Sequence, residues 1–146
     1  MSPEELKARN ERFFAEVLNN PDFSRLEKYI SPEYKLHDVQ PPLEGQAGFR
    51  QLLEGTRVGF PDIHFTMEDC FAEGDKMVVR WTMQGTQKGE YNGFPPTGNV
   101  ATGRGITIAR LDAEGREVDA WIITDNLNVL LQLGAIQMPG QSPVPA

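Results

Sequence analysis

The sequence is poor in the side chains that staple a fold or hold a metal. A lone cysteine, Cys70, has no partner within the chain for a disulfide, and with only two histidines, His37 and His64, it makes a weak ligand set for zinc or iron. Cys70 also has no evident base beside it. No stretch approaches the ~18 apolar residues that span a bilayer, and the opening Met1-Ser2-Pro3-Glu4-Glu5 lacks a basic segment followed by an apolar run. Positive charge is scarce: 14 Lys and Arg against 21 Asp and Glu leave a net charge of -7, which disfavours nucleic acid and anionic membranes as partners. There is no GxGxxG behind a strand, no GxxxxGK[ST], no HExxH and no CxxC; the Gly103-Arg104-Gly105 fragment lies inside a strand pattern. These absences lead to the expectation of a cytoplasmic protein without metal or cofactor, whose ligand is a small neutral or apolar molecule.

What is present is one domain's worth of chain. At 146 residues and 39% hydrophobic content it can bury about 68% of its unfolded surface without staples. Leu6, Arg9, Asn10, Phe13, Phe14, Val17 and Leu18 recur at helical spacing behind Ser2-Pro3-Glu4-Glu5, which supplies an N-cap, a first-position proline and first-turn acids. Phe23, Leu26 and Ile30 predict a short second helix over 23–30. Tyr34, Leu36 and Asp38 alternate in a short strand, and Phe49, Leu52, Leu53 and Val58 mark a helix from Gly45 to Gly59. From Asp62 the period is two: Ile63, Phe65, Met67, Asp69 and Phe71 share one face, Gly74-Asp75 turns, and Met77, Val79, Trp81 and Met83 share the next. A loop over 89–98 leads to a strand at 100–111, a turn at Asp112-Ala113-Glu114-Gly115, a strand at 118–124 and a helix at 126–133. The domain is expected to end near 137, with 138–146 a mobile tail. The order implies an α+β fold with helices covering one face of a bent antiparallel sheet.

The chemistry-bearing candidates cluster near the last strand. Trp121, Ile123 and Asp125 share a parity, so an inward Trp121 brings Asp125 inward where strand meets helix, partly desolvated and suited to act as general acid or base. The plain alternative is that Asp125 caps the final helix. A three-residue loop after Asp112 pairs 112 with 116 and sets Gly103, Gly105 and Thr107 opposite Asp125, Ile123 and Trp121, leaving a space of side-chain size. A two-residue turn shifts the register and puts Arg104 against Asp125 as an ion pair instead. Trp81, Met77 and Met83 offer an indole and thioether surface to a planar ligand, or plain core packing. Tyr34 and His37 could add hydrogen bonds.

Gly93-Phe94-Pro95-Pro96-Thr97-Gly98, then Gly105-Ile106-Thr107-Ile108, then Trp121-Ile122-Ile123-Thr124-Asp125 followed by Leu130-Leu131-Gln132-Leu133-Gly134 together resemble the SnoaL-like polyketide cyclases, also called ester cyclases. The resemblance implies the cystatin-like, nuclear-transport-factor-2-like fold, in which a curved sheet and N-terminal helices form a cone around a deep pocket. It further implies a homodimer through the outer sheet face and a cofactor-free intramolecular aldol condensation with one aspartate as acid and base; the motif places that role on Asp125. Members often carry a histidine where this chain has Thr107. The same fold hosts non-catalytic binding proteins and epoxide or ester hydrolases; for a hydrolase, Asp38 or Asp69 with Arg104 are the visible candidates.

Overall fold

The first helix starts with a reciprocal cap. Ser2 Oγ accepts from the Glu5 N–H at 3.1 Å, and the Glu5 carboxylate accepts from the Ser2 N–H at 2.8 Å, satisfying two of the donors a helix start leaves open. Helix α1 (Pro3–Phe13) continues as one π-helical turn, Phe14–Leu18, closed by the Asn19 N–H on the Phe14 carbonyl. The Asn19 side chain donates to the Phe65 carbonyl and accepts from the Phe65 N–H, at 2.8 and 2.7 Å, which fixes the end of α1 to the sheet. The computed structural model describes residues 1–140; of the expected tail, 141–146 lie outside the described residues.

The helix expected at 23–30 is instead a single 3₁₀ turn, Leu26–Lys28, followed at once by strand β1 (Ile30–Leu36). The Tyr29 carbonyl accepts from the Glu117 N–H and from Arg9, which commits this backbone to the sheet before a helix can propagate. A two-residue strand β2 (Leu43–Glu44) leads into α2 (Gly45–Gly59). Strands β3 (His64–Glu73), β4 (Lys76–Thr86), β5 (Val100–Leu111) and β6 (Glu117–Thr124) follow, and α3 (Asn126–Leu133) ends the fold. The six strands make one curved, unclosed sheet in the order β2-β1-β6-β5-β4-β3. It is antiparallel except where β1 runs parallel to β6, a pairing that the fully antiparallel expectation lacked. No helix among the described residues is long and apolar enough to cross a membrane.

Two β-bulges decide which side chains face inward. In β3 the register with β4 shifts between Met67 and Asp69, so Glu68 is the extra residue. Phe65, Met67 and Cys70 therefore pack on the core, whereas Asp69 pairs with Arg80 outside and Phe71 is exposed, correcting the single face expected for all of 63–71. In β6 the shift falls between Leu111/Glu117 and Arg110/Asp119, so Val118 is extra. The turn itself is as the sequence predicts, with the Asp112 N–H on the Arg116 carbonyl and Leu111 opposite Glu117. One inserted residue then flips every later side chain of β6 to the other face.

The cause lies far away in sequence. Arg9, buried in α1, donates to Glu117 at 3.3 Å, to the Gly115 and Tyr29 carbonyls and to Asn10 Oδ1, and this holds Glu117 inward. Two residues on, Asp119 is held outward by His37 and Arg110, each at 2.8 Å. Those contacts keep the Asp119 carboxyl below its ordinary range, the His37 hydrogen bond more than Arg110. Both demands are met only by the extra residue between them.

Candidate functional site

Between α1, α2 and the inner face of the sheet lies a cavity of about 370 Å³. Its wall is apolar, with Trp81, Met77 and Met83 from β4, Phe65 from β3 and Phe49 from α2. The π-helical turn brings Phe14 and Leu18 to the same wall. Exposed Asn92 and Asn126, with Tyr91 donating to Asn126 Oδ1 at 2.6 Å, form the open rim. At the opposite end the wall is polar and buried, formed by Asn10 and Glu117. Strand β6 runs the length of the cavity, from Glu117 to Thr124, a span of roughly 20 Å at strand rise.

Trp81 and Met83 reach the cavity because the strand beside them has no side chains in their way. Trp81 pairs with Gly105 and Met83 with Gly103. A Cβ on Gly105 would stand 2.2 Å from the Trp81 ring, and one on Gly103 would stand 2.7 Å from the Met83 methyl. The space that the glycine pair leaves is thus filled by β4 and faces no aspartate. Trp81 Nε1 donates to Thr107 Oγ1 at 3.0 Å, so Thr107 orients the indole as it lines the cavity.

Of the residues expected at the site, the fold brings Trp81, Met83 and Thr107 together there, with Gly103 and Gly105 beneath them. Tyr34 is buried in the core, edge-on to Phe49. Trp121, Ile123 and His37 are on the outer face: Ile123 is 76% exposed, and Trp121 stacks on His37 with ring centroids 4.8 Å apart. Ile122, Thr124 and Ala120 take the inward positions instead. Asp125 follows the outward parity of Trp121 and Ile123. The correction is the one-residue register: Arg104, not Gly103, meets Asp125, with Arg104 Nη2 3.2 Å from Asp125 Oδ2. Asp125 also accepts from the Asn128 N–H as the N-cap of α3. Asp38 and Asp69 are exposed, and neither they nor Arg104 line the cavity.

Sequence reasoning missed Glu117 and Asn10. Burial pushes the Glu117 carboxyl above the usual carboxylate range, and Arg9 pulls it back. Among the described residues no three His, Cys, Asp or Glu side chains gather as a metal site.

The chain matches the family model described as SnoaL-like polyketide cyclase over residues 8–133. This chain belongs to the SnoaL-like polyketide cyclase family. TsrD from Streptomyces laurentii is similar at 28% identity and a TM-score of 0.84, over 93% of this chain and 99% of that one. IdmH from Streptomyces antibioticus, a proposed polyketide cyclase, is 28% identical with a TM-score of 0.73, over 92% of this chain and 99% of that one. A proposed polyketide cyclase from Acidithiobacillus ferrooxidans is 33% identical with a TM-score of 0.70, over 91% and 97% of the two chains. No curated protein matches by sequence.

For this SnoaL-like chain the local role of Asp125 is measurable. Asp125→Ala removes the cap of α3 and is expected to lower stability by ~0.5–2 kcal/mol in urea unfolding. Arg104→Ala breaks an ion pair whose arginine is 75% exposed and is expected to cost less than about 1 kcal/mol. Equal losses in the two variants would mean that the ion pair, not the cap, holds the strand end.

Proposed function

We propose that this chain is a cofactor-independent cyclase or isomerase that acts on a small apolar β-dicarbonyl or polyketide-like substrate by general acid/base catalysis. The observation that carries this reading is the cavity: a mostly apolar wall, broken by the hydroxyls of Thr56 and Thr107, with amide and carboxyl groups at its two ends, in a chain of the polyketide-cyclase family. Such a wall dehydrates the substrate and fixes its shape, so that two carbons of one chain meet in a reactive pose.

The acid/base group is Asp125. Its side chain follows the outer face and does not line the cavity, but Thr124 and Asn126 on either side of it do, and its ion pair with Arg104 is exposed and weak enough for the carboxylate to leave it and turn toward the rim. Released from Arg104, the carboxylate takes the proton from the carbon between two carbonyls. The resulting enolate carbon forms a bond to a third carbonyl carbon further along the same molecule, whose π pair becomes an alkoxide, and Asp125 returns the proton to that alkoxide. Such carbon acids are already acidic, and Trp81 and Phe65 hold the planar enolate by fit.

The test is deuterium uptake at the carbon between the carbonyls of ethyl benzoylacetate, followed by proton NMR in D2O. The expected result is uptake faster with protein than in buffer, returning to the buffer rate in Asp125→Asn with binding retained. Binding without accelerated uptake would favour the second reading, a non-catalytic binding domain in which Asp125 is only a cap, as its bond to Asn128 supports.

We also propose that the partner is a second copy of this chain. The outer face carries an apolar row across four strands, Phe71, Val78, Ile108 and Trp121, beside exposed Ile106 and Ile123. An exposed apolar surface of that kind marks an interface. Ile108→Glu with Ile123→Lys is expected to convert a dimer to a monomer by light scattering; a monomeric parent protein would overturn this.

A further inference from the structure

The closed end of the cavity holds a set of polar groups that the proton-transfer step at the rim leaves unused. Asn10 and Glu117 both line the cavity and are 0% and 3% exposed. One guanidinium holds them side by side: Arg9 Nη1 donates to Asn10 Oδ1 at 2.9 Å, and Nη2 donates to Glu117 Oε2 at 3.3 Å. Arg9 meets four acceptors in all, counting the Gly115 and Tyr29 carbonyls, so its charge and orientation are fixed. With Oδ1 committed to Arg9, the amide nitrogen of Asn10 is left to face elsewhere, and it finds no partner among the described residues. Tyr34 Oη, buried within the electrostatic reach of Glu117, is the second such atom. Buried donors without partners are rare in folded proteins, and two of them close to one carboxylate need a reason.

We infer that Asn10 and Glu117 form a subsite that receives a hydroxyl group of the ligand, an enol or phenol oxygen at the leading end of an apolar body. The inference rests on the reading that the cavity is where the substrate binds. Glu117 balances the permanent charge of Arg9 and is therefore an acceptor, while Asn10 Nδ2 is a donor. A hydroxyl is the small group that can satisfy both at once, donating its hydrogen to Glu117 and accepting from Asn10. A carboxylate or phosphate there would face the Glu117 charge without solvent, and an ether would bring Glu117 no donor beyond the one Arg9 supplies. With the leading oxygen on this floor, the trailing end of a long planar ligand lies near the rim and Asp125.

The experiment compares 2-naphthol with 2-methoxynaphthalene, which share one apolar body and differ in the hydroxyl hydrogen. The expected result is about tenfold tighter binding of 2-naphthol by calorimetry, the worth of one buried hydrogen bond to a charged group. Glu117→Gln keeps an acceptor for Arg9 and is expected to abolish that preference while binding of 2-methoxynaphthalene is unchanged. Should that variant fold poorly, the parent protein suffices: the side-chain amide protons of Asn10 shift in the NMR spectrum when 2-naphthol is added. A preference that is absent, or that survives in Glu117→Gln, or an unmoved Asn10 amide, overturns the subsite and leaves the cavity reading intact. Failure of both compounds to bind overturns the cavity reading and the subsite with it.

Discussion

Arg9→Met is expected to lower stability by about 3–5 kcal/mol, the penalty for stranding one member of a buried ion pair. Glu117 would remain in the core with its carboxyl uncompensated, and the Gly115 and Tyr29 carbonyls and Asn10 Oδ1 would each lose a donor. Urea unfolding of the variant and its parent measures the difference, and a loss below about 1 kcal/mol would mean that water already screens the pair. The pH dependence has a definite sign. Burial raises the Glu117 carboxyl above its unfolded value, so the folded state holds that proton to higher pH than the unfolded chain does. The contribution of this group to stability is therefore complete below the ordinary carboxylate range and declines as pH rises through the raised value. Glu117→Gln is expected to flatten that decline above the ordinary carboxylate range.

Gly105→Ala carries the second large effect because it acts on stability and the site together. A methyl there would sit inside the contact distance of the Trp81 ring, which is rigid and packed edge-on against Phe65. Relief requires the indole to move off the strand and into the cavity, breaking its bond to Thr107. Overpacking of this kind costs about 1–3 kcal/mol, and the displaced ring takes up volume that a ligand would use. The expected outcome is a lower unfolding midpoint together with loss of ligand binding. Gly103→Ala is the control: it meets chiefly the methyl end of Met83, which can swing aside, so its cost should be smaller. Equal costs at the two positions would mean that Trp81 is free to repack.

The contrast between these two sites shows what the sequence could reveal. The Ser2 cap, the strand at 100–111, the Gly74-Asp75 turn and the final helix at 126–133 are written in local patterns, and the fold has them where the patterns place them. The glycine pair was readable as a space, but not what fills it, since that depends on the cross-strand register with Trp81. The bulges at Glu68 and Val118 have no local signature. The one at Val118 is a compromise between distant contacts, those of Glu117 and of Asp119, and it moves Trp121, Ile123 and Asp125 off the expected face. Glu117, just after a turn, carries no local mark that separates it from any other acid. A signal for it did exist in α1, where Arg9 and Asn10 share the apolar face with Leu6 and Phe13: an arginine turned toward a core calls for an acid to meet it.

The two tryptophans give the most direct test, because the fold puts one in the cavity wall and the other on the outer sheet face. Their indole N–H signals, assigned through Trp81→Phe and Trp121→Phe, can be followed by NMR while ethyl benzoylacetate is added. If the cavity is the substrate site, the Trp81 signal shifts and saturates while that of Trp121 stays in place. A Trp121 signal that moves while Trp81 does not would put the ligand on the outer face and contradict both the register and the function built on it.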